Sequence, residues 1–154
     1  MHAGAHIGLI SDTHGLLRPE AVEALRGSSL ILHAGDVGKP EILEELRKIA
    51  PVVAVRGNVD KGDWLPETAV VETEHGLIYV LHDLKELEID PAAKGYRMVL
   101  SGHSHKPGSE ERGGVLYVNP GSAGPRRFRL PVTVARLDLR GPVWDVRFVA
   151  LLGR

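Results

Sequence analysis

Seven residues carry metal-binding side chains in a repeated context: Asp12, His14, Asp36, Asn58, His82, His103 and His105. Each follows a short apolar run. HIGLIS precedes Asp12-Thr13-His14, LILHA precedes Gly35-Asp36, and VVAVR precedes Gly57-Asn58. LIYVL precedes His82-Asp83, and RMVLS precedes Gly102-His103-Ser104-His105. Alone, Gly35-Asp36 and Gly57-Asn58 are ordinary turn sequences, and a single Asp-x-His is a weak signal. Together they offer four imidazoles, two carboxylates and an amide oxygen. That exceeds one tetrahedral zinc site. Mixed nitrogen and oxygen donors suit Mn, Fe, Zn, Co or Ni better than Mg or Ca. Two ions about 3.5–4 Å apart, bridged by one carboxylate, use such a set economically. Two divalent ions against two carboxylates leave a net positive centre, fit for a hydroxide and an anionic phosphate ester.

The elements that must position these residues follow from periodicity. His6–Ser11, Leu30–Ala34 and Val52–Arg56 read as buried strands. Between them, Pro19–Arg26 and Pro40–Ala50 read as helices, each opened by proline at a first-turn position. The second helix carries an apolar stripe of Ile42, Leu43, Leu46 and Ile49, and Pro51 ends it. The β-α-β-α-β order implies a parallel sheet. Ligands of open α/β sheets gather beyond the carboxyl ends of the strands, where these donors fall.

The second half reads differently. Thr68–Thr73 and Leu77–Leu81 form a hairpin around Glu74–Gly76, and Leu84–Lys94 reads as a short helical piece. Arg97–Leu100 is a strand. Val115–Val118, Val132–Leu139 and Val143–Ala150 read as antiparallel strands, the last two joined at Gly141-Pro142. The expected fold is α/β with two sheets, one mostly parallel and one more antiparallel, in a single domain over residues 1–154.

Composition bounds the rest. Lys+Arg 19 against Asp+Glu 20 gives a net charge of -1, which argues against dedicated nucleic-acid binding. Cys is 0, excluding disulfides, thiolate metal sites and a cysteine nucleophile. His, at 8, outnumbers Trp 2, Tyr 3 and Phe 2 together, which again directs attention to metal. No run reaches the ~18 apolar residues of a membrane span. The start of the chain has neither a basic region nor a long apolar stretch, so a cytoplasmic location is the expectation.

The ordered blocks resemble those of the calcineurin-like metallophosphoesterase superfamily: D-x-H, G-D, G-N, a lone H, then G-H-x-H. Asn119-Pro120-Gly121-Ser122 and Pro125-Arg126 extend the likeness to about residue 126. Short length and the NPGS segment resemble its small bacterial and archaeal phosphodiesterases of the YfcE type, whose fold the retromer subunit Vps29 shares. The resemblance implies a four-layer α/β/β/α sandwich of two mixed sheets and a dinuclear site. It implies that Asp12, His14 and His105 hold one divalent metal, that Asn58, His82 and His103 hold the other, and that Asp36 bridges them. Mn²⁺ is the first expectation, with Ni²⁺, Zn²⁺ or Fe²⁺ as alternatives. A hydroxide between the metals would attack phosphorus, with Asp36 and Asn58 as catalytic residues and Asn58 also touching a phosphate oxygen. The implied activity is that of a phosphoesterase, foremost a phosphodiesterase, acting on a small phosphate ester. The rival implication is a non-catalytic, metal-binding interaction scaffold of the Vps29 type. A homodimer or homotetramer is implied by relatives, and no membrane partner.

Two positions depart from the family pattern. Val59 stands where many members have a histidine that assists the leaving group, and general acids contribute ~10²–10⁴-fold. Asp83 follows His82 where glycine is common, and either orients an imidazole or faces solvent. Of the other polar residues, Asp60 reads first as a turn carboxylate capping local backbone and alternatively as an acceptor supporting the metal ligands, and His33 reads as a packed core histidine. His2, His6 and His75 read as solvated. Arg126, Arg127 and Arg129 form a basic cluster, with Arg126 the candidate phosphate contact.

Overall fold

The computed structural model describes residues 6–127, 129–140 and 142–152. His2 and Gly141, both singled out above, lie outside the described residues. Ten strands form two five-stranded sheets. They are β1 (His6–Ile10), β2 (Ser28–His33), β3 (Val52–Ala54), β4 (Thr68–Thr73), β5 (Gly76–Leu81), β6 (Tyr96–Leu100), β7 (Gly108–Arg112), β8 (Val115–Asn119), β9 (Thr133–Arg140) and β10 (Val143–Ala150). The helices are α1 (Pro19–Leu25) and α2 (Pro40–Arg47), each with proline at its start.

The first sheet runs β10-β9-β1-β2-β3 and the second β4-β5-β6-β8-β7. β1, β2 and β3 are parallel, as are β5, β6 and β8. The last two strands do not extend the second sheet. They return to the first, where β9 pairs antiparallel with β1 and β10 with β9. Both sheets are therefore mixed.

Strand alternation divides the core into layers. Ile10, Ile31 and Val134 face α1 and α2, where Leu25, Ile42 and Leu46 close one core. Their strand neighbours Leu9, Leu32 and Ala135 face the second sheet, against Ile78, Met98 and Leu100. β1 is buried along its whole length, as a central strand covered on both faces must be. Leu81, Val99 and Val115 on the outer face of the second sheet are covered by Leu84 and Leu87.

That outer cover is thinner than the sequence suggested. The helix expected over Leu84–Lys94 is one 3-10 turn, Leu84–Glu86, followed by irregular chain and a turn closed by Tyr96 N–H on the Pro91 carbonyl at 2.9 Å. Leu84 and Leu87 keep helical spacing but use it to pin a loop to the sheet. Strand β7 went unread because its sequence, GSEER, is exposed at every position. No helix among the described residues is long and apolar enough to cross a membrane.

Candidate metal centre

The donors converge because both sheets present strand ends to one place. Asp12 and His14 follow β1, Asp36 follows β2, and His82 directly follows β5. The connecting loops are cross-linked through their backbones. Asp12 N–H donates to Gly35 O at 2.9 Å, His14 N–H to Asp36 O at 2.8 Å, and Gly102 N–H to His82 O at 2.9 Å. Close approach demands glycine at two points. A Cβ on Gly57 would overlap the backbone N and carboxylate of Asp36, and one on Gly102 would overlap Ser11 Oγ.

Backbone strain marks the same residues. The non-glycine residues with positive φ are Asp12 at 55°, His14 at 49°, Asp36 at 57°, His103 at 74° and His105 at 66°. Among the described residues, every left-handed non-glycine position is therefore a predicted ligand. Each costs of order 1–3 kcal/mol, and such outliers cluster at functional sites.

The side chains close on one another. Asp12, His14 and His105 form one group with ligand atoms within 4.8 Å, and Asp12, Asp36 and His82 form another. Asp12 Oδ1 lies 3.4 Å from His105 Nε2 and 3.7 Å from His14 Nε2. Asp36 Oδ2 stands between two imidazoles, 3.5 Å from His14 Nε2 and 3.3 Å from His82 Nε2.

Asp12, Asp36 and His82 are each held by one atom and present another. Asp12 Oδ2 accepts from Ser11 Oγ at 2.6 Å and from His103 N–H at 3.1 Å, which leaves Oδ1 facing inward. Asp36 Oδ1 accepts Val59 N–H at 3.0 Å, which leaves Oδ2. His82 Nδ1 meets the Ala34 carbonyl at 2.8 Å. A carbonyl only accepts, so Nδ1 carries the hydrogen and Nε2 is the presented atom, the arrangement that orients metal-binding histidines.

The charges reinforce one another. Burial favours a neutral Asp12, but the adjacent His105 and His14 imidazoles, the Ser11 hydrogen bond and His82 hold it well below the usual carboxylate range. Asp36 is likewise lowered: burial opposes its charge, while His82 and the Val59 N–H favour it. Burial would push His82 down, yet Asp36, Asp12 and the Ala34 carbonyl raise it to about 9.

His33 is the core histidine expected. Gly35 N–H donates to its Nδ1 at 3.1 Å, so its hydrogen is on Nε2, 3.0 Å from Thr13 Oγ1. Thr13 in turn donates to the Val37 carbonyl at 2.9 Å. Burial holds His33 down to about 4, a neutral strut beneath the ligand loops.

The remaining predicted residues stand apart from the two groups. His103 is half-exposed, with Nε2 3.8 Å from Asp83 Oδ2. Asp83 thus faces an imidazole, as one of its two readings required, and also caps Lys85 N–H at 3.1 Å. Asn58 is exposed and lines a cavity that also borders His82. Arg126 and Arg127 are exposed. His6 is buried at 7% exposure, not solvated, because β1 is an interior strand. His75 is half-buried at its hairpin turn.

Asp60 does more than cap a local turn. It is 3% exposed and accepts Gly57 N–H at 2.9 Å, Val37 N–H at 3.0 Å and Gly38 N–H at 2.9 Å. It therefore ties the loop after β3 to the loop after β2. The sequence reading also missed how the NPGS segment acts. Asn119 Nδ2 donates to Gly102 O at 3.0 Å and Ser104 Oγ at 3.1 Å, and Ser122 Oγ donates to Asp12 O at 3.1 Å. Asn119 and Ser122 lay within the quoted motif, whereas no sequence signal pointed to Ser11.

The donor set fits a divalent cation. Asp12 Oδ1, His14 Nε2 and His82 Nε2 are buried without a hydrogen-bond partner, and all three belong to the converging groups. Unpaired buried polar atoms are costly, and a cation is the ligand that satisfies an anionic oxygen and imidazole lone pairs together.

Comparison with known proteins agrees. The calcineurin-like phosphoesterase superfamily domain matches residues 6–141, and the chain belongs to that superfamily. A probable metallophosphoesterase of Methanothermobacter thermautotrophicus is 40% identical over 147 residues, covering 86% of each chain. Among solved structures, an archaeal phosphodiesterase aligns with a TM-score of 0.77 at 23% identity, over 94% of this chain and 99% of that one. Vps29 of Entamoeba histolytica complexed with zinc aligns with a TM-score of 0.76 at 22% identity, over 96% and 99%. At such identities the two structures attest the fold.

Proposed function

We propose that this chain is a metal-dependent phosphodiesterase that uses two divalent ions, with Mn²⁺ the first candidate. The single observation that carries the reading is that the left-handed non-glycine residues coincide with ligands of the predicted set. Family membership supports the hydrolase class and its need for divalent metal. Asp12, His14 and His105 would hold one ion, and Asn58, His82 and His103 the other, with Asp36 shared. When bound, such ions supply positive charge for the phosphate and lower the pKa of water towards ~7.

The chain's own residues do the positioning. Ser11 and the His103 N–H fix Asp12, Val59 N–H fixes Asp36, and the Ala34 carbonyl fixes His82. Asn58, exposed and lining the same cavity as His82, would meet a ligand oxygen at the mouth of the site. No proton donor stands at position 59, since Val59 is 44% exposed and apolar. Esters whose leaving groups are stable as anions should therefore react best.

A scaffold of the Vps29 type explains less. The matching family and the curated relative are phosphoesterases, which favours catalysis over a scaffold that only binds metal. The test compares metal-loaded wild type with Asp36→Asn on bis(p-nitrophenyl) phosphate. Turnover by the wild type and its loss in a folded variant is the expected pair. Full activity in the variant rejects Asp36 as the shared ligand, and no activity in the wild type favours the scaffold.

A further inference from the structure

Two cavities flank the candidate centre, one on each side of Asp83–Lys85. One, of about 630 Å³, reaches the centre at Asn58 and His82. The other, of about 700 Å³, reaches it at Gly102 and His103. Asp83 and Lys85 line both. His82 and His103, which mark the two sides, meet edge to face with ring centroids 5.2 Å apart. The dividing wall is held by its own turn, with Lys85 N–H on Asp83 Oδ1 at 3.1 Å and Glu86 N–H on Asp83 O at 2.9 Å. A phosphate at the centre thus has two exits.

The exits differ in chemistry. On the His82 side, Arg56 and Lys85 face Glu67, Asp83, Glu86 and Glu88, an acidic balance. The Tyr79 ring there already meets Tyr96 edge to face, at 5.3 Å between centroids. On the His103 side, Lys85, Lys106 and Arg112 outnumber Asp83 and Glu110. That lining also brings Leu84, Val118 and Tyr117, with the Arg112 guanidinium 4.8 Å over the tyrosine ring. Aromatic and guanidinium planes are natural partners for another flat ring.

We propose that the cavity on the His103 side is a subsite for an aromatic ester substituent, and that the substrates are unsymmetrical phosphodiesters with a hydroxylated substituent on the His82 side. This rests on the phosphodiesterase reading above. A monoester has one substituent and fills at most one cavity, whereas a diester has one for each. Both volumes fall within the ~300–1,000 Å³ typical of small-molecule sites, so each takes far more than a methyl group. Hydrolysis consumes one water. One P–O bond breaks, one substituent leaves as an alcohol or phenol, and the other stays on a monoester product.

Gly108 gives the test. It lines the His103-side cavity, and a Cβ there meets nothing within 4 Å. It lies outside the left-handed region and on a strand exposed throughout, so a side chain adds bulk without strain. Metal-loaded wild type, Gly108→Ala and Gly108→Trp are titrated calorimetrically with diphenyl phosphate and dimethyl phosphate. The expected result is a Kd for diphenyl phosphate raised at least about tenfold by Gly108→Trp, with dimethyl phosphate and Gly108→Ala within about twofold of wild type. Equal diphenyl binding in wild type and Gly108→Trp overturns the subsite, as does equal weakening of both ligands. Turnover of bis(p-nitrophenyl) phosphate by the wild type is followed in parallel. Its absence counts against the phosphodiesterase reading alone, because the binding comparison still reads the subsite.

Discussion

The hydrogen bonds of Asp60 go to backbone N–H groups and not to the side chains of the candidate centre, yet removing its charge should disable metal binding. Its carboxylate accepts three backbone N–H groups, from Gly57, Val37 and Gly38. In Asp60→Asn the amide nitrogen replaces one acceptor oxygen, so at least one N–H loses its partner and the others lose the charge. Hydrogen bonds to charged groups contribute ~1.5–3 kcal/mol and an unsatisfied buried donor costs ~1–3, so a loss of about 2–4 kcal/mol is expected. The consequence for the site follows from contact. Gly57 lies against the Asp36 carboxylate, and Val59 N–H orients it at 3.0 Å. A loosened loop releases Asp36, and loss of such outer support typically costs ~10–100-fold in metal affinity. The assay pairs urea unfolding with calorimetric Mn²⁺ titration at a temperature where the variant is fully folded. Asp63→Asn, an exposed change nearby, is the control. Wild-type Mn²⁺ affinity in folded Asp60→Asn would refute the reasoning, whatever happened to stability.

Further outcomes follow from the same geometry. Gly57→Ala and Gly102→Ala place a Cβ on the Asp36 and Ser11–Asp12 groups, and each should weaken Mn²⁺ binding by more than about tenfold while circular dichroism stays native. His82 is raised from 6.5 to about 9, so in the chelator-treated protein its contribution to stability is complete below pH 6.5 and is lost as pH rises through about 9. Urea unfolding should register a loss on the order of 2 kcal/mol across that window, and a flat profile would contradict the Asp36–His82 pairing. His33 works in the opposite sense. Lowered from 6.5 to about 4, it contributes fully above pH 6.5, and that contribution fades as pH falls towards about 4. His33→Gln should flatten this acid limb in the same unfolding series.

Much of the centre was legible because its chemistry is tied to strand ends. An apolar run followed by Asp or His locates a candidate ligand without any knowledge of loop geometry, and Asp12, His14, Asp36, His82 and His105 come together as that rule requires. What the sequence could not convey is long-range backbone hydrogen bonding. Asp60 reads as a turn residue because its bond to Gly57 is local, while its bonds to Val37 and Gly38 cross 23 and 22 positions. The left-handed backbone of the ligands was equally hidden, since Asp and His adopt it only when the surrounding structure imposes it. In the fold, the parallel set β1, β2 and β3 was readable from alternating helices and strands. The second half reads as more antiparallel, yet it pairs β5, β6 and β8 in parallel. The return of β9 to β1 was not readable, because pairing partners far apart in sequence leave no local pattern. The Leu84–Leu87 spacing mimicked a helix, but these side chains pack on the sheet while the backbone turns away at Pro91.

The most direct test of the account counts metal against activity. The protein is stripped with chelator, titrated with Mn²⁺ under calorimetry, and assayed on bis(p-nitrophenyl) phosphate at each point. The account predicts two ions per chain, with about one proton released from His82 on loading near pH 7.5 and turnover rising only as the second ion binds. Binding of no Mn²⁺, or turnover unaffected by its removal, would contradict it.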